Sequence, residues 1–390
     1  MTRLLEVLLG RLPIGWLQLT HRAGRFAAGI AGVAFAVTLV FFQTGILTGL
    51  EGAVRRPYGF FRAELVLSGP DVRSLTEGAL VPRRRVFEVL ASPGVADSTG
   101  LSVAAVSYKV AGERSLTLTV YGLEPASLAR FGPPSIAVHA QALEVVGSAL
   151  IDAKTRGLPP ALLTSDAEPP LLKLPDSTLA VVGTFEQGPG FENDGSLIVS
   201  PATFGRLFPQ RDPAAVNHVL VALRPGADAP QVLTDLAARF PAGESRAQRF
   251  VDLGAFASRQ QTTGSPVGVL FGFGAVMGII VGVVLVFQVL STEVSDHLRE
   301  YATLKALGHS DGLFVGIVLE QAAILALGGF IPGAAVASLL HGAIGGATGW
   351  PMVITSTRFG IVLIGALVAS SASGLLAARK LRSADPAELY

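Results

Sequence analysis

No cysteine occurs among the 390 residues, which excludes disulfides, thiolate metal ligands, iron-sulfur ligation and a cysteine nucleophile. Charge is nearly as scarce. Lys, Arg, Asp and Glu make up 15% of the chain, where soluble domains carry roughly 25%. The charge present also balances, 30 basic residues against 29 acidic for a formal net of +1, so no overall field recommends a nucleic acid as partner. What fills the chain instead is hydrophobic residues, half of the total, together with 45 glycines. That mixture suits membrane helices better than an independent soluble enzyme.

The charges stop in four places. Residues 26–50, beginning FAAGIAGVAFAVTLVFF, contain no Asp, Glu, Lys, Arg or His and are long enough to cross a bilayer as a first span. The run starts too late and continues too long for a cleaved secretory signal, so it reads as a retained anchor. A second span is expected at 266–290, where small residues alternate with large apolar ones, and a third at 313–340 with the single carboxylate Glu320. A fourth occupies 359–378. The expected fold class is therefore an α-helical membrane protein with four transmembrane helices and a large mixed α+β extracytoplasmic domain.

Orientation follows the basic residues flanking the spans. Arg3, Arg11, Arg22 and Arg25 precede the first span against Glu6, and Arg379, Lys380 and Arg382 follow the last against Asp385 and Glu388. Both termini are expected in the cytoplasm, which makes 1–25 a cytoplasmic or interfacial amphipathic segment, 291–312 a cytoplasmic connector, 341–356 an external link and 379–390 a cytoplasmic tail. The N-terminal segment sets Leu12, Ile14, Trp16, Leu17 and Leu19 beside Arg11, His21 and Arg22, the composition of a helix lying in the membrane interface or of an ordinary juxtamembrane anchor.

Residues 51–261 are too many for a loop and enough for a domain. Period-two alternation predicts strands at 63–68, 106–110, 115–121, 178–182, 197–199 and 216–223, and helices are expected at 84–90, 201–207 and 229–240. Pro159, Pro160, Pro169, Pro170 and Pro175 either separate two subdomains or shape one long loop.

Motifs that would carry chemistry are missing. The six histidines, His21, His139, His218, His297, His309 and His341, form no HExxH pair. GxxxxGK[ST] does not occur, and no GxGxxG follows a strand in a suitable α/β unit. Gly274, Gly278 and Gly282 recur every four residues in apolar context, the pattern of close helix packing rather than of a phosphate cradle. Arg83, Arg84 and Arg85 lack interleaved aromatics and read as a solvated or contact face.

Polar residues in the spans are costly unless they face protein or water, which singles out Gln43, Gln288 and Glu320, the last two being candidates to face each other. The connector STEVSDHLREYATLKALGHSD is the more informative segment. From Glu293 to Leu307 it predicts one short helix stopped by Gly308, with charges placed to meet another protein, and it reads equally as a tight link between spans two and three.

One span, a large domain and then three spans with a short connector after the second resembles the permeases of the MacB and FtsX superfamily, and within it the DevC type. PIGWLQL at 13–19, GIAGVAFA at 29–36, PRRR at 82–85, VGTF at 182–185, DGSLI at 194–198, SPVG at 265–268, VSDHLREYATLKALG at 294–308 and ARKLRSADP at 378–386 carry the resemblance. It implies a non-catalytic permease subunit of a tripartite exporter in the bacterial inner membrane. ATP and Mg would be bound by a separate ABC ATPase dimer. The further partners implied are a second permease copy, a periplasmic membrane-fusion protein and an outer-membrane channel. Lipid or glycolipid is the cargo class the DevC type suggests. Family mechanism makes the connector the ATPase-coupling element, which here maps to Glu293, Asp296, His297, Arg299, Glu300, Tyr301 and Lys305. An FtsX-like mechanotransmitter regulating an extracytoplasmic partner is the alternative.

Overall fold

The structure is a computed structural model and describes residues 13–110, 115–163, 168–241 and 243–382. The expected segments 1–25 and 379–390 are therefore seen in part, and Arg3, Glu6, Arg11, Leu12, Asp385 and Glu388 lie outside the described residues. Ten helices are labelled in chain order: α1 Ile14–His21, α2 Ala23–Phe60, α3 Arg84–Leu90, α4 Pro201–Leu207, α5 Ala229–Arg239, α6 Phe250–Arg259, α7 Pro266–Asp296, α8 Leu298–Ala306, α9 Asp311–Thr348 and α10 Ser356–Arg382. The chain divides into two compact units. A helical unit takes Met1–Thr48, Pro266–Ile344 and Met352–Tyr390, and a sheet unit takes Gly49–Ser265 and Gly345–Pro351.

In the helical unit α2, α7, α9 and α10 are each long and apolar enough to cross a membrane, so the chain is a multi-pass membrane protein. Apolar burial between helices is weak glue in lipid, and close approach at small residues takes its place. Gly329 and Gly333 of α9 lie against Val33 and Val37 of α2, and Gly282 of α7 against Ala36. Hydroxyls reinforce the contacts: Thr38 donates to the Gly333 carbonyl at 3.1 Å and Ser373 of α10 to that of Val283 at 3.0 Å.

The sheet unit is built on nine strands in the order β11-β1-β10-β3-β4-β8-β5-β7-β6. These are β1 Leu65–Ser68, β3 Val95–Lys109, β4 Ser115–Leu123, β5 Ser148–Asp152, β6 Leu171–Lys173, β7 Thr178–Phe185, β8 Gly195–Val199, β10 His218–Leu223 and β11 Arg246–Arg249, and the short β2 Val81–Pro82 and β9 Ala215–Val216 pair apart from them. The pairs β4/β8 and β5/β7 are parallel and the rest antiparallel. β10 reads as a continuous apolar run because both faces are covered. Leu220 and Ala222 join Leu101, Leu123, Ile198 and Tyr121 on one side, under Tyr58 and Phe61 from the end of α2 and Phe250 of α6. Val219 and Val221 meet Val89, Val232 and Leu236 of α3 and α5 on the other.

The helices expected at 84–90, 201–207 and 229–240 and the strands at 115–121 and 216–223 correspond to α3, α4, α5, β4 and the β9–β10 region. The proline-rich stretch lies between strands of one continuous sheet, since β5 before it pairs with β7 after it. The connector departs from a single helix over 293–307. α7 runs on to Asp296, His297 leaves helical geometry at φ −97 and ψ 12, and α8 begins at Leu298.

Candidate functional site

The connector end of the helical unit is organised by α1, whose polar side turns inward. Gln18 is its hub: the side-chain carbonyl accepts from the Tyr301 hydroxyl of α8 at 3.1 Å and from Nε2 of Gln321 on α9 at 3.0 Å, while its own Nε2 donates to Glu300 at 3.4 Å. One residue thus ties three helices. Close approach is permitted by Gly15, where a Cβ would stand 3.0 Å from the Ile317 carbonyl. Glu320 accepts the Trp16 backbone N–H at 3.2 Å, placing a carboxylate against the first turn of α1, where free amides and the helix dipole favour a negative charge. An apolar patch completes the dock, with Tyr301, Phe314 and Ile317 under Ile14, Leu304 and Leu313. Burial pushes the Tyr301 phenol up to about 12, the bond to Gln18 opposing it.

The acidic connector residues serve as ties as well. Asp296 pairs with both Arg22 and Arg25 at the elbow between α1 and α2. The His297 ring stands between two carboxylates, Nε2 3.6 Å from Glu293 and Nδ1 3.0 Å from Glu300. Lys305 meets Asp311 at 3.3 Å across the turn that leads to α9. Of the seven residues expected to couple, Glu293 and Tyr301 are buried, and Asp296, His297 and Lys305 are engaged within the unit. Arg299 and Glu300 are exposed, Glu300 while it holds Gln18 and His297. Beside them Thr303 and Leu307 continue the exposed ridge at helical spacing, Leu307 being 73% exposed. Sequence reasoning missed Leu307, which the i, i+4 spacing from Arg299 through Thr303 would have found. It also missed Gln18 and Gln321.

The intramembrane polar residues are not brought together. Glu320 is buried against α1, whereas Gln288 is exposed on α7 and does not face it. Gln43 packs on Gly274, where a Cβ would stand 2.3 Å from the amide nitrogen, and its buried Oε1 has no hydrogen-bond partner among the described residues. His341, which was not among the residues expected to matter in the membrane, bonds the Phe41 carbonyl at 3.1 Å over Gly45.

Within the sheet unit the link 345–351 is gripped by side chains. Arg56 donates to the carbonyls of Pro189 and Gly349 at 2.9 and 2.8 Å, Arg156 to that of Thr348 at 2.7 Å, and the Trp350 indole to that of Gly190 at 3.3 Å. The gripping loop is shaped by buried Asp152, which accepts the N–H groups of Lys154, Gln187 and Gly188 at 3.0, 3.1 and 2.7 Å. Burial pushes its pKa above the ordinary carboxylate value, against the pull of those amides. Gly188 and Gly349 take φ of +87 and +68, a region costly for side chains with a Cβ.

Ser68 and His218 stand 2.7 Å apart on adjacent strands, with the other ring nitrogen 3.0 Å from the Leu75 carbonyl. Both are buried and the third partner is backbone, so the pair is packing rather than a nucleophile. Among the described residues no cluster of three potential metal ligands occurs.

No curated protein matches the chain. Solved structures similar to it include the periplasmic region of MacB from Actinobacillus actinomycetemcomitans, at 9% identity over 50% of this chain and 93% of that one with a TM-score of 0.36. The extracellular domain of the noncanonic ABC-type transporter YknZ from Gram-positive bacteria aligns at 12% identity over 48% and 98%, TM-score 0.32. A domain of a putative permease protein from Porphyromonas gingivalis aligns at 17% over 48% and 88%, TM-score 0.33. The segment holding most of α7 and all of α8, α9 and α10, residues 272–386, matches the family described as FtsX-like permease C-terminal, and this part of the chain is similar to such a permease.

Proposed function

We propose that the chain is the permease subunit of an ATP-driven tripartite exporter, with a separate ABC ATPase docking on α8. The observation that carries this reading is the pairing of a fastened helix with an exposed ridge. α8 is tied to α1 and α9 through Tyr301 and Gln18, while Arg299, Thr303 and Leu307 face outward. A partner pressing on that ridge moves α7 and α9 with it, because the ties leave α8 no independent path. ATP and Mg belong to the partner, and this chain contributes displacement of helices rather than chemistry. In this reading the connector and both termini are cytoplasmic, the sheet unit is periplasmic and the membrane is the bacterial inner membrane. Two permease copies would act with the ATPase dimer, joined by a membrane-fusion protein and an outer-membrane channel in the DevC manner, with lipid or glycolipid as cargo class.

The test is copurification of the full chain from gently solubilised native membranes, with stoichiometry from intact-complex mass measurement. A two-to-two core with an ATPase and a fusion protein supports export. The same core with a cell-wall hydrolase and no fusion protein replaces export by regulation of an external partner. Recovery without any ATPase overturns both.

A further inference from the structure

The helical unit contains a lengthwise apolar groove of about 550 Å³ between α2, α7 and α10. Small residues shape it: Gly278 and Gly282 of α7 let that helix close on Val40 and Ala36 of α2, and Gly365 of α10, where an added Cβ would meet nothing within 4 Å, leaves the opposite wall open. From Val33 to Thr48 the groove follows fifteen steps of α2, roughly 22 Å at 1.5 Å per residue, against a hydrocarbon core about 30 Å thick.

Its polar end, opposite the connector, holds Arg358. The guanidinium donates to Thr48 Oγ1 at 2.6 Å and to the Val353 carbonyl at 3.2 Å. Both acceptors are neutral, and among the described residues no carboxylate pairs with it. Five N–H donors and a fixed positive charge at the edge of the fourth span, where an apolar channel opens at headgroup level, suit an anion. A second copy of the chain has little to offer from its spans, whose single carboxylate, Glu320, lies at the connector end and already accepts from Trp16.

We infer that this groove binds one acyl chain of an anionic phospholipid, with the headgroup phosphate on Arg358 and the tail running along Val40 and Val37. A zwitterionic lipid fits the channel but brings its own cation to the arginine. A phosphate monoanion or diester meets the fork geometry of the guanidinium directly. This site is separate from the docking ridge on α8 and does not depend on the coupling role.

The full-length protein is reconstituted in nanodiscs of equal phosphatidylglycerol and phosphatidylcholine, and retained lipid is counted by native mass spectrometry. The wild type is expected to retain phosphatidylglycerol over phosphatidylcholine by about tenfold. Arg358→Gln abolishes the preference and Arg358→Lys keeps most of it. Gly365→Leu, at a position where an added Cβ meets nothing within 4 Å, removes retained lipid of both kinds while thermal unfolding stays near that of the wild type. Equal retention of the two lipids by the wild type, or unchanged retention in both Arg358→Gln and Gly365→Leu, overturns the assignment. A disulfide between copies carrying Ile361→Cys, on the groove lining in a chain with no other cysteine, shows a second copy over the groove and overturns it as well. ATPase copurification, measured on the same variants, keeps failure of this site distinct from failure of the coupling role.

Discussion

Tyr301 donates its hydroxyl to the Gln18 side chain at 3.1 Å across 283 positions of sequence, so the helix that precedes the first span is part of the connector that follows the second. Gln18 also receives Gln321 at 3.0 Å, which means that neither bond can be judged alone.

Removing the hydroxyl with Tyr301→Phe leaves Gln18 one donor and is expected to lower stability by about 1 kcal/mol. Gln18→Ala strands Tyr301 and Gln321 together and costs about 2 kcal/mol or more. Thermal unfolding of the solubilised chain in a double-mutant cycle measures the coupling, and additive losses would show that the hub does not act as one network.

Arg299→Glu reverses an exposed charge without breaking a bond on this chain. Its stability change should stay within about 0.5 kcal/mol, while stimulation of the partner ATPase falls severalfold. Asp296→Lys is expected to behave oppositely, opening the elbow by repelling Arg22 and Arg25. Stimulated hydrolysis at the wild-type level in a well-folded Arg299→Glu protein would remove the ridge from the docking surface.

His218 gives the sheet unit an acid sensitivity. Burial pushes its imidazole down from 6.5 to about 4, the bond to Leu75 opposing the shift. The unfolded chain therefore takes up a proton that the folded chain refuses. Stability from this residue is whole above pH 6.5 and is lost as pH falls toward 4, by up to roughly 3 kcal/mol. With Trp16→Phe, Trp350 remains the sole tryptophan and reports on its own unit. His218→Gln should flatten its unfolding profile over that window, and an unchanged slope would assign the acid response elsewhere.

Asp152→Asn removes the negative charge from a site lined by three amide donors and turns an N–H toward them in one of its two orientations. Hydrogen exchange at Gln187 and Gly188 should accelerate by about tenfold or more, with lesser change in β10. Equal acceleration across the sheet would indicate global destabilisation instead of a loosened loop.

The spans were legible because a bilayer forbids what soluble proteins tolerate: a run of some twenty uncharged residues matches the hydrocarbon thickness once its backbone closes its own hydrogen bonds as a helix. β4 was legible through its alternation, Leu118 and Val120 to one core and Tyr121 and Leu123 to the other. β3 was seen only at its C-terminal end. Over residues 95–105 it is largely covered on both sides and carries Ser98 and Thr99 inside, so polarity does not alternate with direction. Ser98 is tolerated there because it donates to the Val86 carbonyl at 2.7 Å. Glu320 was flagged as an expense in the membrane, but its role as the acceptor for α1 depends on a partner 304 positions away. No local pattern encodes such a tie. The same holds for Asp296, whose charge was visible and whose arginine partners were not paired with it by spacing.

The grip on Thr348, Gly349 and Trp350 also sets an order of assembly. Arg56, Arg156 and Gly190 leave the ribosome 293, 192 and 160 residues before the groups they bind. These groups are therefore made first, and the link is the last piece of the sheet unit to arrive. A chain that fails to insert α9 or α10 correctly would leave Arg56 with Pro189 alone, Arg156 with Asp194 alone and the Gly190 carbonyl without the Trp350 indole, a local defect by which an incompletely inserted protein differs from a finished one on the surface of its folded unit.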